Sequence, residues 1–420
     1  MRVKKKNQNY RIMAAVWFLA LAAVSAVLVY AILRGNDVWG RTGEDGNAGQ
    51  RPGEVRLITL DGLDSDAAGP VTVEQLASER VSGSEIRLVW SDAADERVSA
   101  YLVSRRKTSD EIGEWELIAS VPSDGTVSGK ENSYVDELND TAPQQFEYRV
   151  DVEIPDPESY QAEEGDTVLA SNVIICIDPG HYEGSSVLEG ENIYGYTEGY
   201  FTLKVGLELK RVLKEQYGID SYMTRESGTI TLGGYTDGSL DSGHISLRGE
   251  YAADSDLFIS LHTNANDEDA NGYPTCEQPI AINKTIVIVN EIALQSDIAM
   301  CIANSAGSSL SDVNYRLGLS STEGFATVSS GSVLEWTQDF NDGLAQRGTV
   351  CRRQGTNGDY YGVLRGAANV GVPGMIIEHG FHTVAEVRRS AMEDNLYEMW
   401  AAADASGIAA GFGFAARTEL

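Results

Sequence analysis

The feature that most constrains the fold of this chain is a short apolar run that stops at a histidine. Val173 to Ile177 are apolar and mostly β-branched, which predicts a fully buried strand. Asp178-Pro179-Gly180 then ends the strand and turns the chain, so His181 follows directly at its carboxyl end. Ligands bind at that edge in open α/β sheets. The run therefore predicts an α/β domain with a functional histidine at the sheet edge.

Two more strands are predicted to end in ionisable side chains. Asp256 to His262 ends in a second histidine, Met375 to Glu378 ends in a carboxylate, and a helix begins at Glu198. Neighbouring strand ends lie about 5 Å apart, so these side chains can converge. A lone histidine at a strand end is more often structural, but two histidines with a carboxylate form a zinc-binding set that leaves room for water. A second carboxylate beside such a metal serves as a general base.

The pattern from residue 173 onward alternates between strands and helices, which predicts a mixed sheet flanked by helices. Apolar residues between Phe201 and Leu213 recur on one helical face, and Gly218 ends that helix. Further helices are predicted over about 284–308 and 384–410. We therefore place an α/β catalytic domain at 173–420.

Residues 82–172 carry short alternating strands separated by turn-forming clusters, which predicts a β-sandwich domain. Trp90 on an early strand and Tyr148 on a late one resemble the pattern of a fibronectin type III module. The segment contains no chemical constellation. Its expected role is that of a spacer or of a contact for a protein partner.

The amino terminus has the character of a membrane anchor. Residues 1–11 are basic without an acid, and Ile12–Leu33 contains no charged residue. As a helix this stretch spans about 33 Å, enough to cross a bilayer, and the basic flank places the amino terminus in the cytoplasm. A cleaved signal peptide ending near Ala20–Ala22 is the alternative. We expect a tail and anchor at 1–34, a flexible acidic tether at 35–81 and an extracellular catalytic domain.

Composition excludes one class of partner. Lys and Arg number 32 against 63 Asp and Glu, a net charge of −31, which argues against nucleic acid. None of the four cysteines forms a CxxC pair, so a structural zinc knuckle is not expected. Cys276 and Cys351 either close a disulfide or remain unpaired thiols.

The catalytic half resembles the zinc-dependent N-acetylmuramoyl-L-alanine amidases, which cleave bacterial peptidoglycan. Six runs carry this resemblance, occur in the family's order and cover about 173–415: Ile177–His181, Thr197–Lys210, Thr224–Glu226, Ser246–Ala265, Tyr360–Arg365 and Val372–Phe381. The resemblance implies that a zinc-activated water hydrolyses the amide bond between N-acetylmuramic acid and L-alanine. It also implies peptidoglycan as the partner in the cell wall.

The same resemblance assigns roles to individual residues. His181, Glu198 and His262 are implied as zinc ligands and Glu378 as the catalytic base. Glu183, Glu189 and Glu191 are alternatives for the carboxylate ligand, because Gly199 stands where the family usually has a lysine after the glutamate. Three further residues are expected to contact substrate or to support the ligands: Asn264, Arg248 and His379. For Arg248 a structural ion pair is the leading expectation.

The stretch after Glu378 departs from the family pattern. The family often continues with a GF-x-S-N pattern, but this chain has Gly380-Phe381-His382-Thr383. We expect His379 and His382 to face away from the metal or to support its ligands, and His244 to face solvent. The segment 266–350 either gates the cleft or is a helical cap. A zinc peptidase acting on wall stem peptides and a non-catalytic wall-binding protein are the alternative functions.

Overall fold

The computed structural model of this chain describes residues 71–417, apart from 74, 94, 109–112, 124–129, 156–163, 186–191, 267–281, 338–339, 342 and 344–345. Within these ranges no helix combines the length and the apolar character needed to cross a membrane. The predicted anchor at Ile12–Leu33 lies outside them, as does most of the predicted tether.

The first domain is a sandwich of two antiparallel sheets. Its strands are β1 (Ala77–Ser82), β2 (Glu85–Ser91), β3 (Ala100–Lys107), β4 (Glu116–Pro122), β5 (Glu131–Glu137), β6 (Gln145–Glu153) and β7 (Thr167–Ser171). One sheet has the order β1-β2-β5 and the other β4-β3-β6-β7. The core includes Trp90, Tyr101 and Tyr148, all almost fully buried, because alternate residues of each strand face the opposite sheet.

The sandwich begins earlier than the sequence indicated. β1 precedes the expected start at residue 82, and Val71 and Val73 belong to the sandwich core. The prediction of a flexible tether up to residue 81 is therefore wrong for 71–73 and 77–81. The sequence of β1 shows no clear alternation, because its charged residues Glu79 and Arg80 are adjacent and so lie on opposite faces of the strand.

The second domain is built on one large mixed sheet. Its strands are β8 (Ile174–Pro179), β9 (Asp220–Met223), β12 (Leu257–Asn264), β13 (Ile286–Val289), β14 (Phe325–Ala326), β15 (Leu334–Glu335), β16 (Gly348–Arg352) and β19 (Gly374–Phe381). They follow the order β14-β16-β13-β19-β12-β8-β9, with β15 beside β16. β9, β8, β12 and β19 are mutually parallel, and β13 is antiparallel to β19. The predicted mixed sheet is confirmed.

Small hairpins and helices complete the domain. β10 (Thr231–Leu232) pairs with β11 (Tyr235–Thr236), and β17 (Gln354–Gly355) pairs with β18 (Gly358–Asp359). The helices are α1 (Glu198–Tyr217), α2 (Ser246–Glu250), α3 (Asp297–Arg316), α4 (Gly362–Asn369), α5 (Ala385–Glu393) and α6 (Leu396–Phe412). Helix α6 packs against α1 and α3, and α2 packs against α4.

Two predicted helices differ from the observed ones. The segment 284–308 opens with β13, whose Ile-Val-Ile-Val run is fully buried between β16 and β19, and α3 begins only at Asp297. The helix predicted over 384–410 is two helices, because Asn395 has a left-handed φ of 54° between α5 and α6. β19 also continues beyond Glu378 to Phe381.

The two domains are joined closely. Only Asn172 and Val173 separate β7 from β8. The Gln145 side chain on β6 contacts the second domain: its Nε2 donates to Tyr217 O at 2.7 Å and to Ala415 O at 2.9 Å, and its Oε1 accepts from Ala415 N. Lys214 Nζ donates to Ser78 O at 2.6 Å. All described residues therefore belong to one compact unit.

Candidate metal centre

Strand order brings three of the predicted side chains to one edge of the sheet. β12 lies between β8 and β19, and His262 is paired directly with Glu378 across the parallel ladder. His181 follows β8 after Gly180, and its φ of 61° is left-handed, a conformation that non-glycine residues rarely hold without a functional reason. Helix α1 begins at Glu198, as predicted, and places this carboxylate beside both histidines.

The three predicted ligands form one cluster. His181 Nε2 lies 3.3 Å from Glu198 Oε2, and His262 Nδ1 lies 3.1 Å from Glu198 Oε1. One ligand atom from each residue lies within 4.8 Å of the others. Two imidazoles and a buried carboxylate at this spacing fit a single divalent ion with nitrogen and oxygen preferences, of which zinc is the typical case. The donor set therefore fits the metal that the sequence predicted.

Glycine at position 180 leaves the space that the His262 ring needs beside the turn. A Cβ on this residue would lie 2.6 Å from His262 Nε2 and 2.6 Å from Leu261 O, closer than side chains tolerate. Gly199 has a similar role, since a Cβ there would overlap the carbonyl oxygen of Tyr182. The position after Glu198 therefore has no room for a side chain in this structure.

The charges of the cluster are balanced by the histidines. Burial opposes the positive charge of His181, but the carboxylates of Glu198 and Asp241 raise its pKa to about 10. Burial also opposes the negative charge of Glu198, and the two imidazoles hold its pKa well below the usual range. Glu198 is therefore held in its ionised form, the form in which a carboxylate binds a metal ion.

Asp241 supports the cluster from outside and was not predicted from the sequence. Its Oδ2 lies 3.3 Å from His181 Nδ1, which leaves Nε2 of that ring for the cluster. Its Oδ1 accepts a hydrogen bond of 2.8 Å from Arg248 Nη1. The residue sits in the Gly-, Ser- and Asp-rich stretch 227–246, where no pattern sets it apart from neighbouring polar residues.

Arg248 forms the predicted structural ion pair. It is almost fully buried, and its Nε donates to Asp178 Oδ1 at 2.9 Å. It also donates to the carbonyl oxygens of Pro179 at 2.5 Å and His181 at 3.2 Å. Arg248 therefore ties the turn before the first histidine to α2.

Glu378 shares a cavity of about 280 Å³ with the cluster. Its Oε2 is buried without a hydrogen-bond partner among the described residues. Burial, followed by the nearby charge of Glu198, raises the pKa of Glu378 to about 8. A carboxylate with these properties can accept and return a proton near neutral pH.

The other described histidines are not members of the group whose ligand atoms lie close enough to share one ion. His379 is fully buried, with Nε2 2.7 Å from Asp404 Oδ2 and Nδ1 3.0 Å from His262 O. It therefore supports the strand that carries His262. His244 is exposed, as predicted, and it also stacks on Tyr235. His382 lines the cavity, a position that the sequence did not predict.

Asn264 also lines the cavity, and its Nδ2 donates to Asn341 Oδ1 at 3.1 Å. Of the described residues between 282 and 350, none lines the cavity itself. Gating by the segment 266–350 stays a prediction, because 267–281 lies outside the described ranges. Glu183 is not part of the cluster, and Glu189 and Glu191 lie outside the described residues.

The three cysteines that the structure describes take no part in the site. Cys351 is a free thiol buried in β16, and its predicted partner Cys276 lies outside the described residues. Cys176 is a buried thiol in β8 and Cys301 an exposed one on α3. Whether Cys276 and Cys351 pair stays a prediction, because Cys276 lies outside the described residues.

Comparisons with solved structures find similar proteins at low identity. The catalytic domain of the amidase CwlV from Bacillus (Paenibacillus) polymyxa is 17% identical, covers 57% of this chain and 97% of its own, and has a TM-score of 0.36. The amidase Ami1 from Mycobacterium abscessus is 20% identical over 57% and 98%, with a TM-score of 0.35. The amidase CwlD from Clostridioides difficile, solved in complex with the GerS lipoprotein, is 14% identical over 58% and 99%, with a TM-score of 0.39.

The family comparison is more extensive. No curated protein matches the chain. A family model described as N-acetylmuramoyl-L-alanine amidase matches residues 175–410, from β8 through most of α6. These residues hold the three predicted ligands and the predicted base, and they make up more than half of the 420 residues. The chain therefore belongs to the N-acetylmuramoyl-L-alanine amidase family.

Proposed function

We propose that this protein hydrolyses the amide bond between N-acetylmuramic acid and L-alanine in peptidoglycan, with a zinc ion held by His181, Glu198 and His262. The observation that carries the proposal is the cluster of these three residues in one cavity with Glu378. When bound, zinc acts as a Lewis acid that activates water and polarises the amide carbonyl. Family membership supports the choice of bond and substrate.

The chain's own residues supply the proton transfers and the positioning. Glu378 Oε2, which has no partner among the described residues, accepts the proton of the attacking water and returns it to the leaving amine. Its raised pKa favours both steps, because the group exchanges protons readily near pH 8. Asp241 and Arg248 hold His181 in its ring orientation.

The proposal extends to the location of the enzyme. An uncleaved helix at Ile12–Leu33 would hold the catalytic domain outside the cell membrane, next to its substrate; secretion after signal cleavage is the alternative.

We also propose that the sandwich is a fibronectin type III-like module that contacts a protein partner. Its seven antiparallel strands in two sheets and the buried Tyr148, whose Oη donates to Asp136 Oδ2 at 2.7 Å, support this.

The test combines metal content with product analysis. Purified full-length protein and the variants Glu378→Gln and Glu393→Gln are assayed for bound zinc and for new L-alanine amino termini released from peptidoglycan. Glu393 is exposed on α5, so its variant is the matched control. We expect about one zinc ion in all three proteins and a loss of release of at least about 10³-fold only in Glu378→Gln.

Three results would contradict specific parts of the proposal. Absence of bound zinc in the wild type would remove the metal site. Release of amino termini other than L-alanine would identify a stem-peptide bond as the target. Bound zinc without any release would favour a wall-binding protein over an enzyme.

A further inference from the structure

His382 occupies a position in the cavity that neither the proposed ligands nor the proposed base uses. It follows β19 directly, is 2% exposed and lines the same cavity as the cluster. Its Nδ1 lies 2.9 Å from Thr263 Oγ1. Its Nε2 is buried and, within the described residues, has no hydrogen-bond partner. Buried polar atoms are rarely left unpaired, so this nitrogen calls for a ligand.

The neighbours of His382 determine which ring nitrogen carries the proton. Tyr196 is fully buried, and its Oη lies 2.6 Å from Thr263 Oγ1, its one partner among the described residues. The phenol must therefore donate to Thr263, since a buried hydroxyl without an acceptor is costly. The 2.9 Å contact between Thr263 Oγ1 and His382 Nδ1 does not itself fix the donor, and we assign the hydrogen to Thr263 because its oxygen already accepts from Tyr196. A neutral imidazole that accepts at Nδ1 carries its proton on Nε2.

The ring is also neutral and held in place. Burial lowers the pKa of His382, which favours the uncharged imidazole. The ring stacks on Tyr196 with centroids 5.8 Å apart. The backbone is fixed on both sides, because His382 N donates to Asn264 O at 2.9 Å and Arg388 Nη1 donates to His382 O at 2.7 Å. The N–H group is therefore a preorganised donor.

His382 is not an additional member of the metal cluster. The group of residues whose ligand atoms lie close enough to share one ion contains His181, Glu198 and His262 only, among the residues that the structure describes. A second role in the same cavity must therefore involve the substrate. A fixed donor in a buried site stabilises negative charge that develops during a reaction.

We propose that His382 Nε2–H donates a hydrogen bond to the carbonyl oxygen of the scissile amide and stabilises it as negative charge develops. The inference rests on the proposed amidase function and adds a substrate-contacting residue to it. It also gives Tyr196 and Thr263 a role, which is to orient the imidazole.

The first experiment separates binding from turnover. Wild type, His382→Leu, His382→Gln and His244→Gln are compared for kcat and KM on a soluble peptidoglycan fragment, and for bound zinc. Leu removes the donor, Gln retains an N–H group at a similar reach, and His244 is an exposed control. We expect His382→Leu to bind zinc normally and to lose about 10²–10³-fold in kcat with little change in KM. His382→Gln should recover at least about tenfold of that loss.

The second experiment does not depend on turnover. Nitrogen-15 NMR of histidine-labelled protein reports which ring nitrogen of His382 carries the proton. We expect the proton on Nε2 in the wild type, and a mixture of tautomers in Thr263→Val, which removes the hydroxyl that Nδ1 accepts from. A proton on Nδ1 in the wild type would overturn the proposal.

The outcomes distinguish this inference from the proposed function. No release of L-alanine amino termini by the wild type defeats the amidase function and the role of His382 with it. Release by the wild type and equal release by His382→Leu defeats the role of His382 alone. Loss of zinc from His382→Leu would make the residue part of the metal site and would equally reject the proposed donor role.

Discussion

Glu378 lies in surroundings that oppose its own charge. The side chain is buried, its Oε2 has no partner in the described part of the chain, and Glu198 is a second negative charge nearby. Its ordinary pKa of 4.5 is raised to about 8. A group whose pKa is higher in the folded than in the unfolded state binds an extra proton on folding, so stability falls as pH rises between the two values.

The expected fall in stability with rising pH can be tested on the metal-free protein. Between about pH 5 and pH 8 the wild type should lose up to about 1.4 kcal/mol of unfolding free energy per pH unit through Glu378. Glu378→Gln cannot ionise and should escape that loss. We expect the stability advantage of Glu378→Gln over the wild type to grow across this interval and to level off above about pH 8. Denaturant titrations of chelator-treated protein at several pH values measure it.

The comparison with a single substitution isolates the contribution of Glu378, because every other ionisable group is present in both proteins. Glu393→Gln, at an exposed position on α5, should run parallel to the wild type at every pH. If the difference in unfolding free energy between Glu378→Gln and the wild type did not change with pH, burial would not raise the pKa of Glu378.

At this scale the sequence predicted the residues of the cluster but not their support. The strand-end histidines and Glu378 follow apolar runs, and that pattern is visible along the chain. Asp241 and His382 lie outside the strands of the large sheet, and Thr263, the residue after His262 in β12, gains its role only from its contact with His382. No local pattern encodes such contacts, so the chain alone did not reveal them.

Helices α2 and α4 approach each other at glycines. A Cβ on Gly249 would overlap the carbonyl oxygen of Val363, and one on Gly366 would overlap that of Ser246. The close crossing matters for the site, because α2 carries Arg248 to Asp178, and Gly362 and Val363 at the start of α4 line the cavity.

The close approach of α2 and α4 predicts whether replacing a glycine there stabilises or destabilises the protein. In an ordinary helix interior, Gly→Ala stabilises by about 1 kcal/mol. Gly366→Ala should instead destabilise by about 1–3 kcal/mol, because its Cβ meets backbone that cannot rotate away. Urea unfolding measures the change. Asn369→Ala, at an exposed position of the same helix, should stabilise or have no effect, and a stabilising Gly366→Ala would contradict the close approach.

Element types were predicted best where periodicity was long and clear. The apolar face of α1 and its end at Gly218, which has a left-handed φ of 63°, were visible in the sequence. β13 was mistaken for part of a helix because four buried residues do not distinguish a strand from a helix. The break at Asn395 was missed because no proline or glycine marks it.

One contact between the sandwich and the catalytic domain is a side-chain amide whose donor and acceptor groups all have hydrogen-bond partners. The Gln145 side chain bonds Thr108 Oγ1, Tyr217 O and both backbone groups of Ala415, and it is 4% exposed. Because these partners come from the sandwich, from α1 and from the chain after α6, the residue links three parts of the molecule.

Removing this amide should weaken the coupling between domains. Each buried group left unpaired costs about 1–3 kcal/mol, so we expect Gln145→Ala to lose at least about 2 kcal/mol and to broaden or split a single thermal transition. Calorimetry of the full-length protein measures both effects. Gln144→Ala, whose side chain bonds Asp140 O within the sandwich, is the matched control and should unfold like the wild type. An unchanged single transition in Gln145→Ala would show that other contacts suffice.

The order of domains could be read from the chain, but their contact could not. The change from alternating strands to strand–helix alternation marks the boundary at 172 and 173, where β7 passes into β8. Nothing in the sequence shows that Gln145 reaches Ala415, because the two residues are far apart along the chain.

The short connection between β7 and β8 also has a directional consequence. Asn172 and Val173 leave no room for a hinge, and β8 is the strand that presents His181. If the proposed partner held the sandwich, it would therefore set the direction in which the cavity opens as well as its distance from a surface. The orientation of the sandwich would then limit the angles from which a peptidoglycan strand can enter the cavity.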